Sequence, residues 1–258
     1  MHGGLEGKIA IVLGADAIGS GIARRFAREG ATVAVLDGEI ARAQGVLQLV
    51  GGAARVWPID LSRLESIRPA IDAAAGALGG LHILVNNLLP APYVAPLEDQ
   101  ATDVFAAALA MVSATHVAMQ AALPHLRAAG GGRIVNVGHR YGEGANDAMG
   151  AYNTAAWALV GLTRTAAVDW GQYQIATNLL LPLADTPEYR GYHARRAKLL
   201  DLLVTQIPLG RVGDPIEDVG GAAVFLASDA VNFVNGEIVY GDGGEHTAGP
   251  VLNPGRFR

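Results

Sequence analysis

Short β-rich apolar runs alternate with longer helical patterns from the first residues to about Tyr240. Repeated strand–helix units force each connection to cross over through a helix, which aligns the strands in parallel and buries both faces of their sheet. Strands are expected at Ile9–Leu13, Thr32–Leu36, Ala53–Trp57, Ile83–Asn86, Arg133–Val137, Ala176–Leu181 and Glu237–Tyr240, each a compact apolar run bounded by glycine, proline or polar residues. Helices are expected near Gly19–Glu29, Ile40–Val50, Leu64–Leu78, Ala101–Arg127, Tyr152–Gln172, Glu188–Val204 and Ile216–Ala227.

This pattern specifies an α/β fold, a Rossmann-type doubly wound parallel sheet of about seven strands with helices on both faces. The 258 residues fit it as one domain spanning 1–258, and a chain with 51% hydrophobic residues can bury a broad sheet. The net charge of −5, with arginines scattered, lacks the concentrated positive charge that phosphate backbones require, so no nucleic-acid partner is expected. Zero cysteines exclude disulfides, thiolate metal sites and cysteine nucleophiles, and no histidine–carboxylate spacing suggests a metal. Met1–Glu6 lacks the charged and apolar regions of a signal peptide, and no uninterrupted apolar run reaches the roughly 18 residues that cross a bilayer. The expectations are therefore no membrane partner and a cytoplasmic location, with Met1–Gly7 and Gly249–Arg258 read as tails.

Gly14-Ala-Asp-Ala-Ile-Gly19-Ser-Gly21 follows the first strand and opens a helix. Gly14, Ile18 and Gly19 could there bring backbone close to a pyrophosphate at the helix N-terminus. The alternative is a tight strand-to-helix turn that needs glycine whatever binds. Asp37 ends the second strand, 18 residues after Gly19. A carboxylate there accepts hydrogen bonds from an adenosine ribose and repels a 2′-phosphate, which favours NAD(H) over NADP(H) if a dinucleotide binds at all.

Further segments, in order, are Gly132-Arg-Ile-Val-Asn136, Gly161-Leu-Thr-Arg164, Pro208-Leu-Gly-Arg211, Phe225-Leu-Ala-Ser-Asp229 and Gly241-Asp-Gly-Gly244. With the glycine turn and Ala151-Tyr-Asn-Thr-Ala-Ala156, they make a chain that resembles the short-chain dehydrogenases/reductases over almost its whole length. The resemblance places Asp60 beside the adenine, with a capping role for the next helix as the other reading. It places Asn86-Asn87-Leu88-Leu89 where the family has Asn-Asn-Ala-Gly, so that Asn86 lines the cofactor and the two leucines narrow the groove. The family's four hydride-transfer positions fall at Met111, His139, Tyr152 and Ala156, where it carries asparagine, serine, tyrosine and lysine. Only the tyrosine is unchanged, which implies an atypical active site. No lysine can be recovered by realignment, because the chain has only Lys8 and Lys198.

Imidazole near pKa 6.5 can take or give a proton at neutral pH, whereas an unperturbed phenol near pKa 10 is about one part in a thousand ionised. His139 is therefore the candidate base and Tyr152 the candidate acid. The first reading is acid–base chemistry on a carbonyl or hydroxyl compound without redox change, of lyase, dehydratase, isomerase or cyclase type and free of any cofactor. The alternatives are an NAD-dependent oxidoreductase with His139 in the serine's role, and a catalytically silent subunit or binding module. Leu88, Leu89, Met111 and Leu183 suggest a partly hydrophobic small-molecule substrate, and Tyr189 or Tyr192 on a lid-like segment could line its pocket. Arg140, Tyr141, Glu143 and Asp147 lie in the loop before Tyr152. His116 is expected to make an interior contact and His246 to belong to the tail. The helices near Ala101–Arg127 and Tyr152–Gln172 carry many small and apolar residues, from which a homodimer or homotetramer is expected.

Overall fold

Seven parallel strands form one sheet in the order β3-β2-β1-β4-β5-β6-β7. They are β1 (Ile9–Leu13), β2 (Thr32–Asp37), β3 (Ala54–Pro58), β4 (Ile83–Asn86), β5 (Gly132–Val137), β6 (Ile175–Pro182) and β7 (Ile238–Gly241). The computed structural model describes residues 4–39, 41–42, 44–45, 54–61, 63–90, 93–139, 148–193 and 204–247. The described helices are α1 (Ala17–Arg28), α2 (Leu64–Leu78), α3 (Thr102–Ala128), α4 (Gly150–Trp170), α5 (Pro187–His193) and α6 (Gly220–Ala227), joined by short 3-10 turns and a π-type turn at Pro215–Val219.

Successive side chains of a strand leave opposite faces, so every apolar run feeds two cores. Val12, Val33, Val35, Val85, Val135 and Leu180 pack with Ile22, Phe26 and Leu226 on one side. Ile11, Leu13, Leu36, Leu84 and Ile134 pack with Ile67, Ile71 and Met119 on the other. The chain runs outward through β2 and β3, then returns to place β4 on β1's other side, with Leu13 opposite both Leu36 and Asn86. The carboxyl ends of β1 and β4 are thus the point where connections diverge, which opens a crevice above the sheet.

Differences from the expected elements are local. Ala53 lies outside the described residues and β3 runs on to Pro58. Of the helix expected at Ile40–Val50, residues 41, 42, 44 and 45 are helical and the rest lies outside the described residues. Of Glu188–Val204, α5 covers the beginning, and residues 194–203 lie outside. The last helix starts as a π-type turn because Asp214 caps Ile216 and Glu217 through its side chain ahead of Pro215. Helix α3 is long and apolar enough, by length and composition, to cross a membrane. Its polar interruptions hide this from a search for unbroken runs, and in the fold it places Ala114, Ala118 and Met119 against the sheet.

Candidate active site

Beyond β1 the chain turns at Gly14, whose φ of +86° is open to glycine and costly for other residues. A Cβ there would lie 2.3 Å from the Asn87 carbonyl oxygen, and one on Gly19 would lie 1.9 Å from the Gly14 carbonyl. Both glycines are therefore required by backbone packing alone. The N-terminus of α1 is capped by Asp16, whose Oδ1 accepts from Ile18 N at 3.0 Å, Gly19 N at 2.9 Å and Asn87 Nδ2 at 2.7 Å. Burial pushes the Asp16 carboxyl above the usual carboxylate range, opposed by the hydrogen bonds and reinforced by the charge of Glu188.

Asp37 is fully buried at the end of β2. Its Oδ2 accepts from Ala15 N at 2.5 Å, and its Oδ1 accepts from Glu39 N at 2.7 Å and Arg42 Nη2 at 2.9 Å. This carboxylate ties the glycine turn to β2, so it has a structural role beside any contact with a ribose. Asp60 is exposed after β3, and its main-chain carbonyl accepts from Ser66 Oγ at 2.6 Å and Arg63 N at 3.1 Å. Ile18 is half-buried against the core beneath α1. Asn86 is 1% exposed and donates through Nδ2 to Asn136 Oδ1 at 2.8 Å, and Asn136 Nδ2 donates to Thr163 Oγ1 at 2.9 Å. This knot ties β4, β5 and α4 together behind the site.

The end of the crevice that holds His139 and Tyr152 is assembled by α4. Gln100 holds the first turn of that helix, accepting from Ala151 N at 3.0 Å while donating to the carbonyls of Ala95 and Ala148. Ala108, Ala151 and Ala155 let α3 and α4 approach closely. Tyr152 is thereby fixed with 6% exposure, and His139 stands half-buried just past β5. Their ring centroids are 5.6 Å apart with planes at 73°, an edge-on arrangement. Ala156, 2% exposed, lies one helical turn beyond Tyr152 on the same face.

A cavity of about 410 Å³ opens against Tyr152, lined also by Leu89, Pro90, Tyr93, Val104 and Met111. Of the expected pocket residues, Leu89 and Met111 are in it. Leu88 is instead 4% exposed within the core under α2 and α3. Leu183 is engaged through its backbone with Gly213 and Gly241 and does not line the cavity. Tyr189 is half-buried on α5, its amide donating to Thr186 Oγ1 at 3.0 Å. The side chain of Tyr192 and the whole of Arg140, Tyr141, Glu143 and Asp147 lie outside the described residues. Two histidines depart from expectation. His116 is exposed on the outer side of α3, because Thr115 and Ala118 occupy its sheet-facing side. His246 belongs to the folded body, stacked on Tyr240 at 3.8 Å with its Nδ1 2.8 Å from Asp242 Oδ2. Asp16, Arg42 and Gln100 were not singled out from the sequence. Only Asp16 carried a usable signal, an aspartate just before a helix that starts with small residues.

The protein family described as enoyl-(acyl carrier protein) reductase matches residues 12–246. D-threitol dehydrogenase of Mycolicibacterium smegmatis is 34% identical over 245 residues, covering 93% of each chain. Cis-4-hydroxycyclohexanecarboxylate dehydrogenase of Sinomonas cyclohexanicum is 36% identical over 247 residues, covering 92% of this chain and 96% of its own. The crystal structure of 3-ketoacyl-(acyl-carrier-protein) reductase from Brucella melitensis, complexed with NADH, superposes with a TM-score of 0.84 at 26% identity, covering 93% of this chain and 99% of that one. Relatives named as dehydrogenases and reductases overturn the expectation of non-redox lyase, dehydratase, isomerase or cyclase chemistry. That reading took the exchange of serine and lysine as loss of hydride chemistry, which the surrounding similarity does not support.

Proposed function

The chain belongs to the short-chain dehydrogenase/reductase superfamily, and from that membership we propose that it is an NAD-dependent oxidoreductase with an atypical active site, acting on a small, partly hydrophobic alcohol or ketone. The observation that carries this reading is the edge-on pair of His139 and Tyr152 beside an apolar cavity. The residues at the adenosine end are compatible with a dinucleotide: the glycine turn leads from β1 into the start of α1, and Asp37 closes the rim of β2. The preference for NAD(H) over NADP(H) rests on that carboxylate.

A bound nicotinamide supplies the hydride acceptor or donor. Tyr152 donates the proton of its phenol to the substrate oxygen in carbonyl reduction. His139 takes the serine's role, donating a hydrogen bond to the same oxygen. In alcohol oxidation the same path runs in reverse, the alcohol proton passing to Tyr152 as the phenol hands its own to the His139 imidazole, because α4 holds Ala156 where the family's lysine would favour the phenolate. Met111 offers a thioether where the family orders a water, so proton transfer is confined to the pair. The cavity wall of Leu89, Pro90, Val104 and Met111 favours an apolar carbon skeleton. A polyol would leave hydroxyls there without partners, at about 1–3 kcal/mol each. The apolar residues Leu109, Trp157 and Val168 exposed on α3 and α4 support a homodimer or homotetramer built on those helices. A cytoplasmic, single-domain enzyme completes the reading.

The test is a calorimetric titration with NADH and NADPH followed by turnover of alicyclic ketones and polyols, read from consumption of the reduced nucleotide. Micromolar NADH binding and faster reduction of alicyclic ketones are expected. Failure to bind either nucleotide, with no turnover across the panel, would overturn the proposal.

A further inference from the structure

The amide groups at the start of α1 carry the partial positive charge of the helix and are where a Rossmann-type turn receives a pyrophosphate. In this chain they are already engaged. Ile18 N and Gly19 N both donate to Asp16 Oδ1, and Asn87 Nδ2 adds a third bond to the same oxygen. A carboxylate of the protein thus holds the donors that an incoming anion would use. We propose that Asp16 sets the affinity for the dinucleotide, its carboxylate competing with the pyrophosphate for the amides of α1, and that occupation of the site takes up one proton at Asp16. This inference rests on the dinucleotide reading of the site.

Three neighbours decide the sign of the effect. Glu188, from α5, adds negative charge against Asp16. Asp37, after β2, binds the adjacent Ala15 amide and places a second carboxylate beside the turn. Arg42 is the cation that feels Asp16, but its guanidinium is bonded to Asp37 at 2.9 Å. A pyrophosphate remains ionised across the physiological range, so its arrival adds a further anion to a half-buried carboxylate already surrounded by like charge. Neutralising Asp16 removes the repulsion and loosens its hold on the α1 amides, because a neutral carbonyl oxygen is a weaker acceptor than a carboxylate. Burial already favours that protonated form. By linkage, dinucleotide affinity then falls as pH rises, by up to about tenfold per pH unit where a full proton is taken up.

A purely structural cap makes a different prediction, because asparagine caps a helix as well as aspartate. The full chain and its Asp16→Asn variant are titrated with NAD in pairs of buffers of unlike ionisation enthalpy, from about pH 5 to 9. The wild type is expected to take up a proton on binding and to lose affinity as pH rises through the range in which Asp16 titrates. Asp16→Asn is expected to bind with a flat pH dependence and about tenfold tighter at pH 8. Equal affinities and equal slopes in the two proteins would overturn the role of Asp16 and leave the dinucleotide reading standing. Absence of NAD binding by both proteins at every pH would remove both. The wild-type proton count requires no variant, and a count of zero with measurable binding refutes the proposal even if Asp16→Asn does not fold.

Discussion

The two ends of the crevice are made of opposite materials. Around β1 and β2, two carboxylates hold the chain together: Asp16 and Asp37 between them accept from four backbone amides, one carboxamide and one guanidinium, and the glycines leave no space for a Cβ. Around α4, one phenol and one imidazole meet against a wall of Leu89, Val104 and Met111. The first end is defined by directional bonds, so a change there propagates into the fold. The second is defined by packing and reach, so its chemical groups can be exchanged while the scaffold persists. This contrast is what the proposed exchanges at His139, Ala156 and Met111 would require, since groups held by packing can change while the fold stays intact.

Breaking the catalytic end should cost activity and leave stability alone. Tyr152→Phe is expected to lower kcat/KM by about 10³-fold, with NADH affinity and thermal midpoint unchanged; a fall in both would mean the phenol is structural. Breaking the cofactor end should do the reverse. Gly19→Ala forces a methyl into the Gly14 carbonyl and is expected to destabilise the fold by about 3 kcal/mol, seen as a shift in the denaturant midpoint. Between the two, His139→Ala is expected to lose about 10²-fold in kcat, whereas His139→Ser keeps more activity and removes the imidazole inflection from the pH–rate profile. An unchanged profile in His139→Ser would assign that inflection elsewhere. The smallest effect lies outside both ends. Arg211 bonds Asp218 at 2.5 and 2.8 Å and holds its carboxyl down to about 2. That depression stabilises the fold fully above the ordinary carboxylate value and is lost as pH falls toward about 2. Because both groups are more than a third exposed or close to it, Arg211→Ala should cost no more than about 0.5 kcal/mol at neutral pH and nothing in strong acid, as urea unfolding at two pH values would show.

The sheet was legible because each of its strands is a compact apolar run, and burial on both faces leaves no other use for such runs. Within the site, His139 and Tyr152 were legible as a pair because one lies past a strand's end and the other on the following helix, and that architecture brings such positions together. Leu88 was misplaced for a simple reason. An apolar side chain beside a cleft satisfies the same rule whether it faces the cleft or the core, and only packing decides which. Asn86 was read as a cofactor contact, yet its nearest relation is to Asn136, 50 residues away, a pairing no local pattern reveals. His246 looked terminal because its partners, Tyr240 and Asp242, needed the β7 turn to face it.

The pairing of β1 with β4 carries a kinetic consequence. Leu13 meets Asn86 across the sheet, so the seam between the two halves forms only when everything from the glycine turn to α2 has been gathered into one closed loop. Loop closure of that length is entropically slow and is rewarded late. The crevice lies directly above this seam, so the place where the molecule would bind its ligand is also a join between segments far apart in the chain.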